Sequence, residues 1–364
     1  MDKKIRAIGA GILLLIWAAL VGFAWLSPAK EMSEAERRPL AQMPEVSIKT
    51  IFEGKFMGKF ETYTLDQFPL RDSFRSIKAL FHKYALGQKD NNDIYVTKGH
   101  VAELAATLNE PSVNHALQQF NLVNELYLQE CGQVFVTVVP DKGYYLAEAN
   151  GYPAMDYEKL FSMVQNGMSW AQYVDITDCL TLDDYYFTDT HWKQENILPV
   201  AQKLAGALGV AGPKAEDFTE VTAERPFYGV YYGQAALPMD PDALTMLQSN
   251  VLNSANVFNY VTNSFGKVYD MPKLSGKDMY EVYLSGAQSL LRIENPNAKT
   301  DKHLIVFRDS FGSSLAPLLV QDYKTVTLVD IRYINAQMVG KFVDFTDADV
   351  LFMYSSLVLN KNLI

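Results

Sequence analysis

Three hydrophobic rhythms follow one another along this chain. The first is an unbroken apolar run from Ala7 to Leu26, "AIGAGILLLIWAALVGFAWL", preceded by Lys3, Lys4 and Arg6. Such a run is long enough to cross a bilayer core of about 30 Å as a helix. The cations ahead of it favour a cytoplasmic N-terminal end, which puts the rest of the chain outside. A cleaved signal peptide is the rival reading. The length of the run and the lack of an A-x-A site before Pro28 argue for an uncleaved anchor.

The second rhythm has the helical period. Phe56, Phe60 and Tyr63 recur at helical spacing, as do Leu70, Phe74, Ile77 and Phe81, with Pro69 between the two sets. "SVNHALQQFNLVNELYLQECG" predicts a helix with Ser112 as N-cap and Gly132 as its stop. "KQENILPVAQKLAGALG" predicts another, ending at Gly209. The third rhythm consists of short β-branched or apolar runs: "VFVTVVP", "YVDIT", "LIVF", "VTLVD" and "DVLFMY". Near-continuous apolar runs are the mark of strands covered on both faces. Between the last three lie the helix-like stretches "GSSLAPLLV" and "NAQMVGKFV".

Strands alternating with helices predict a three-layer αβα domain around a mostly parallel sheet. The expected organisation is an anchor over 1–26, a polar, proline-containing stalk over 27–50, and one domain over 51–364. Residues of about 210–300 break the alternation and are expected to form a β-rich insertion on the sheet. Within it, "NVFNYVTNSFGKVYDM" predicts a hairpin turning around Asn263-Ser264-Phe265-Gly266.

The composition, 49% hydrophobic and 20% charged with a net charge of -10 over 364 residues, is that of a globular protein. With no long basic patch, nucleic acid is excluded as the expected partner. The two cysteines, Cys131 and Cys179, lack metal-site or C-x-x-C spacing; they are read either as a disulfide or as two separate buried thiols.

Chemistry concentrates at two places. "LIVFRDSFGSSLAPLL" sets Ser310 between a buried strand and a helix. In open α/β sheets ligands gather outside the carboxyl ends of strands, and a helix start there offers backbone N–H groups to a developing oxyanion. Ser310 is therefore a candidate nucleophile, although Ser310 or Asp309 could equally be a plain N-cap. A serine nucleophile needs a base. Of the five histidines, His82 and His115 fall in helix patterns, His100 follows a turn glycine, and His303 begins the strand seven residues before Ser310. His191 lies in the loop "YYFTDTHWKQEN" with Asp189 two residues earlier. In an extended segment such a pair points to one side, so the carboxylate could orient the imidazole. A surface Asp-Thr-His turn and a metal site are the alternatives; no second histidine or acidic cluster completes a metal site. Trp192 could wall the site or contact a sugar ring. Arg332, Tyr333, Tyr354 and Lys142 stand at predicted strand ends and could line a cleft.

"TDTHW", followed about 120 residues later by "RDSF", resembles the extracytoplasmic SGNH-hydrolase-like proteins of the alginate O-acetylation type and the related DHHW family. "ERRPLAQMPE", "DQFPLRD", "VVPDK" and "LVDIRY" match in order, so the resemblance runs from about Glu34 to Tyr354. It implies a circularly permuted SGNH fold, with Ser310 as nucleophile, His191 as general base and Asp189 as the acid that orients it. It also implies acetyl transfer to an exported or cell-surface polysaccharide beside a membrane-bound O-acyltransferase, with no cofactor. An esterase with the same triad and a non-catalytic glycan-binding protein are the alternatives. The motif reads Asp-Thr-His-Trp here, the serine block reads Arg308-Asp309-Ser310, and the expected Gly-Asn pair reads Gly286-Ala287-Gln288. The second oxyanion donor is thereby left without an assignment.

Overall fold

A computed structural model describes residues 3–33, 35–298 and 300–364. Glu34, where the resemblance begins, lies outside the described residues. The chain divides into two compact units, one of residues 1–91 with 232–238, the other of residues 92–231 with 239–364.

The first unit contains the helix Lys3–Leu26, long and apolar enough to cross a membrane, with none of its residues buried. The stretch expected to be an extended stalk pairs Met32–Ser33 with Arg38–Pro39 and starts a helix at Ile48 under a Ser47 capping box. Two of the motifs meet in this unit. Arg38 grips Asp66 with both guanidinium nitrogens, at 2.9 and 2.7 Å, and Glu36 pairs with Arg71 and Arg75. The arginines hold the Asp66 carboxyl at about 2, Arg38 acting first through its hydrogen bonds. Helices Lys55–Asp66 and Arg71–Leu80 flank the Pro69 break expected from the sequence.

The second unit is α/β. Its main sheet has eight strands: β1 Val134–Val139, β2 Gln172–Tyr173, β3 Asn256–Asn259, β4 Ser264–Gly266, β5 Leu290–Glu294, β6 His303–Arg308, β7 Thr325–Val329 and β8 Asp349–Ser355. Their order is β4-β3-β5-β7-β6-β8-β1-β2. From β7 to β2 every pairing is parallel, while β5, β3 and β4 continue the sheet antiparallel. The segment that broke the rhythm in the sequence thus extends one side of the sheet. Its hairpin turns three residues earlier than expected. Tyr260–Asn263 make the turn, Asn263 takes a left-handed φ of 51°, and Ser264–Gly266 are the returning strand. Asn259 fixes this by accepting the Val261 and Thr262 N–H groups.

Two apolar layers sandwich the sheet. One face carries helices Leu198–Ala207 and Phe311–Leu319, the other Glu110–Tyr127 and Tyr157–Gly167. The first helix of the second pair is capped three residues before the expected cap. Asn109 accepts the Ser112 N–H, and the Ser112 hydroxyl donates to the Leu359 carbonyl instead. Only Gln172–Tyr173 of the expected strand around "YVDIT" is paired, and "NAQMVGKFV" forms a 3-10 turn over Ala336–Lys341. Cys131 and Cys179 are unbonded, and burial raises both thiol pKa values.

Candidate active site

Strand β6 lies between β7 and β8, so its end delivers Arg308-Asp309-Ser310 to the carboxyl edge inside the parallel region. The helix that follows, Phe311–Leu319, is buried at every position, which explains its apolar and small-residue composition. At Gly312 a Cβ would stand 2.7 Å from the Arg308 Cβ, so only glycine lets the helix turn so close to the strand. Ser310 occupies the cap position, yet its side chain makes no capping bond. Asp309 does that work. One carboxylate oxygen accepts the Phe311 N–H at 3.0 Å and the other the Ser355 N–H at 2.7 Å. Arg308 is buried, with one guanidinium nitrogen donating to the Asp309 carbonyl and the Ser313 hydroxyl. Burial lowers its pKa, opposed by the nearby Asp330 and Asp309 carboxylates.

The Ser310 hydroxyl is left facing His191. His191 Nε2 lies 2.7 Å from Ser310 Oγ, and His191 Nδ1 lies 2.6 Å from Asp189 Oδ1. With the carboxylate accepting, Nδ1 carries the proton and Nε2 accepts from the serine. Asp189 is buried and His191 mostly so. The two come together differently from the extended pairing expected. Residues 187–191 are a run of bends, and Asp189 Oδ1 also accepts the His191 backbone N–H at 3.1 Å. The carboxylate folds back over its own turn to reach the ring.

Distant residues hold that loop. Asp242 accepts the N–H groups of Phe187 and Thr188 and the Thr188 hydroxyl, at 2.6–2.8 Å. Gly229 N–H donates to Thr188 Oγ1 and Val230 N–H to Asp189 Oδ2. A Cβ on Gly229 would lie 2.3 Å from the Asp189 Cβ, so this approach requires glycine. On the other side, buried Lys142 donates to the carbonyls of Tyr186 and Phe187 at 3.1 and 3.2 Å. Burial pushes the Lys142 amine down to about 7, opposed by the carboxylates of Asp189, Asp242 and Asp141.

The remaining expected site residues are spread more widely. Trp192 is fully buried. Its indole N–H donates to Ser314 Oγ at 2.9 Å and its ring meets Phe311 edge-on, so it walls the site from behind and is not open to a sugar. Tyr354 is likewise in the core, stacked on Phe120. Lys142 serves the loop rather than a cleft. Arg332 is tied to Asp330 through two bonds at 2.8 and 2.7 Å, and Tyr333 beside it is exposed. Both follow β7 at the same edge as Ser310. The Gly286-Ala287-Gln288 turn also lies at that edge, before β5, but Gln288 bonds Asn259 and the Ser285 carbonyl. Among the described residues no group of three metal-ligating side chains occurs. Sequence reasoning missed Asp242, Gly229, Val230, Tyr280 and Ser314. All but Ser314, which lies one turn beyond Ser310 on the same helix, act from distant segments, and only the Gly in "FYGVYYG" breaks its local pattern.

A model of the DHHW protein family matches residues 170–329, a span that holds Asp189, His191, Trp192 and Ser310. The resemblance drawn from the motifs therefore holds. Among solved structures, a DHHW family protein from Eubacterium siraeum is similar at 22% identity and a TM-score of 0.61, covering 75% of this chain and 94% of its own. Bacillus cereus PatB1 is similar at 17% identity and a TM-score of 0.60, covering 75% of this chain and 99% of its own; it is also solved with a sulfonyl adduct. These likenesses establish the fold. No curated protein matches the sequence.

Proposed function

We propose that this protein is an extracytoplasmic O-acetyltransferase that acts on an exported or cell-surface polysaccharide through a Ser-His-Asp triad. The observation that carries the reading is the unbroken hydrogen-bonded line Asp189–His191–Ser310, with contacts of 2.6 and 2.7 Å. A non-catalytic glycan-binding protein has no need of that convergence. In this mechanism His191 Nε2 takes the Ser310 proton as Oγ bonds to the acetyl carbonyl carbon. The C–O bond of the donor then breaks, and His191 returns the proton to the departing oxygen. A sugar hydroxyl repeats the sequence in reverse: His191 removes its proton, its oxygen takes the acetyl group, and Ser310 regains the proton. Asp189 holds the imidazole in the required tautomer and balances its charge. The Ser310 backbone N–H, at the start of a helix, is the oxyanion donor.

The acceptor and location rest on the resemblance and on the apolar helix Lys3–Leu26, read as an uncleaved anchor. In this reading a membrane-bound O-acyltransferase beside that anchor supplies the acetyl group. Membrane-extracted protein should retain its first residues, and a mature N-terminus after Leu26 would remove the anchor.

The test of the chemistry is Ser310→Ala. Turnover of an activated acetyl ester should vanish, with a melting temperature near wild type because Ser310 caps nothing. A sulfonyl fluoride should add one adduct mass to wild type, none to Ser310→Ala, and add more slowly to His191→Ala. A Ser310→Ala protein with full turnover would end this reading.

A further inference from the structure

Two hydrogen bonds define only a line through the His191 ring, from Nδ1 to Nε2. Rotation about that line would carry the ring plane away from both partners while keeping its nitrogens in place. Tyr280 removes that freedom. Its ring lies flat on the imidazole, with centroids 3.8 Å apart and planes 8° from parallel, while Phe311 leans on the imidazole at 4.9 Å and 55°. Tyr280 is buried and comes from a different segment, the 3-10 turn Met279–Val282.

The tyrosine is itself fixed from the nucleophile's side. Its hydroxyl lies 2.8 Å from Ser314 Oγ, one turn beyond Ser310 on the same helix. That same Oγ accepts the indole N–H of Trp192, the neighbour of His191, and the Ser314 carbonyl accepts Gln194 Nε2 at 2.8 Å. One serine thus joins the helix carrying the nucleophile, the loop carrying the base and the ring that covers the base.

We propose that Tyr280 is a positioning residue that locks the plane of the His191 imidazole and stabilises its protonated form during acyl transfer. The proposal rests on His191 acting as the base for Ser310. The face of an aromatic ring is its negative region, so a flat phenol favours an imidazolium over a neutral imidazole. Burial keeps the phenol itself uncharged by raising its pKa well above the usual value. The groups bonded to the imidazole are the Asp189 carboxylate on its own loop and the Ser310 hydroxyl. Asp309 stands behind the helix start with both oxygens engaged, and Lys142 sits on the carbonyl side of the loop.

The experiment uses the full chain with Tyr280→Leu, Tyr280→Phe and, as control, Tyr283→Leu. Tyr283 is a buried ring 4.9 Å from Tyr280. Two quantities are read: hydrolysis of p-nitrophenyl acetate across pH, and the His191 imidazole titration by NMR. Tyr280→Leu should lower kcat about tenfold or more with little change in KM, and lower the His191 pKa by about half a unit or more. Tyr280→Phe keeps the ring and should stay within about threefold of wild type, with an unchanged His191 pKa. Tyr283→Leu should lose melting temperature and leave the His191 titration in place. Should Tyr280→Leu fail to fold, Tyr280→Met fills the space without a π face and carries the same comparison. An unchanged His191 pKa in Tyr280→Leu, or an equal shift in Tyr283→Leu, overturns the proposal. The titration reads the Tyr280 contact directly, so it stays decisive even if Ser310→Ala retains turnover and the catalytic reading falls.

Discussion

The two segments that meet at Ser310 and His191 are built in opposite ways. Arg308-Asp309-Ser310 is a strand end running into a helix. Its geometry comes from β6, from a helix buried at every position, and from Asp309 capping its own next turn. Asp189-Thr190-His191 lies in a run of bends and belongs to no helix or strand. Its shape is imposed by Asp242, Gly229, Val230 and Lys142, which lie between 41 and 55 residues away along the chain. The nucleophile is placed by local structure on a sheet, and the base by a clamp assembled from distant parts of the fold. Damage should therefore separate: changes to the clamp should disarm the base while Ser310 stays where it is.

The largest effect expected on the clamp side comes from Asp189→Asn. The amide can keep one hydrogen bond and the packing, but it no longer selects the tautomer that leaves Nε2 free to accept. Turnover of an acetyl ester should fall by about three to four orders of magnitude with the melting temperature little changed. Unchanged turnover, alongside a dead His191→Ala variant, would remove Asp189 from the triad.

The contrast also explains what could be read in advance. The apolar runs marked β1, β6, β7 and β8 because strands covered on both faces must be apolar along their length, and the helix after Ser310 followed from the same pattern. Asp189 and His191 could be paired because an offset of two positions keeps their side chains within reach of each other. The reason for their meeting was misjudged, since an Asp folding back on its own turn and an extended strand share the same spacing. Trp192 and Tyr354 could not be told from cleft residues, because an aromatic in a loop or at a strand end reads the same whether it faces solvent or a second layer. Asp242 and Tyr280 were invisible for a different reason. A single polar or aromatic residue carries no period, and its role exists only once segments far apart in sequence have packed.

Gly229→Ala tests the clamp without touching any reacting group. The new methyl would begin 2.3 Å from the Asp189 Cβ, so one backbone must retreat. Overpacking of this kind costs about 1–3 kcal/mol. A displacement of about 1 Å at the base can cost about a hundredfold in rate. The expected outcome is a fall in ester turnover approaching that size, with a moderate loss of melting temperature. Sulfonyl labelling of Ser310 should slow in parallel, because the hydroxyl loses its base. Equal rates in Gly229→Ala and wild type would mean that the loop holds its shape without this contact.

The smallest expected effect asks in which charge state Lys142 holds the other side of the loop. Its amine reaches two carbonyls, and burial lowers its pKa to about 7, with three carboxylates resisting. In the unfolded chain a lysine titrates near 10.4. Between those values the unfolded chain binds a proton that the folded protein does not, so this group makes stability rise with pH, by at most about 1.4 kcal/mol per unit. Below about pH 7 the amine is charged in both states and its contribution is flat, with the cost of burying the charge fully present. Lys142→Met removes the titration and leaves the carbonyls of Tyr186 and Phe187 without their donor, a loss that does not vary with pH. Melting curves of both proteins from pH 6 to 9 isolate the difference. The wild type should gain on the variant as pH rises above 7. Parallel curves would mean that Asp189, Asp242 and Asp141 keep the amine charged throughout, which would make the clamp an ionic one.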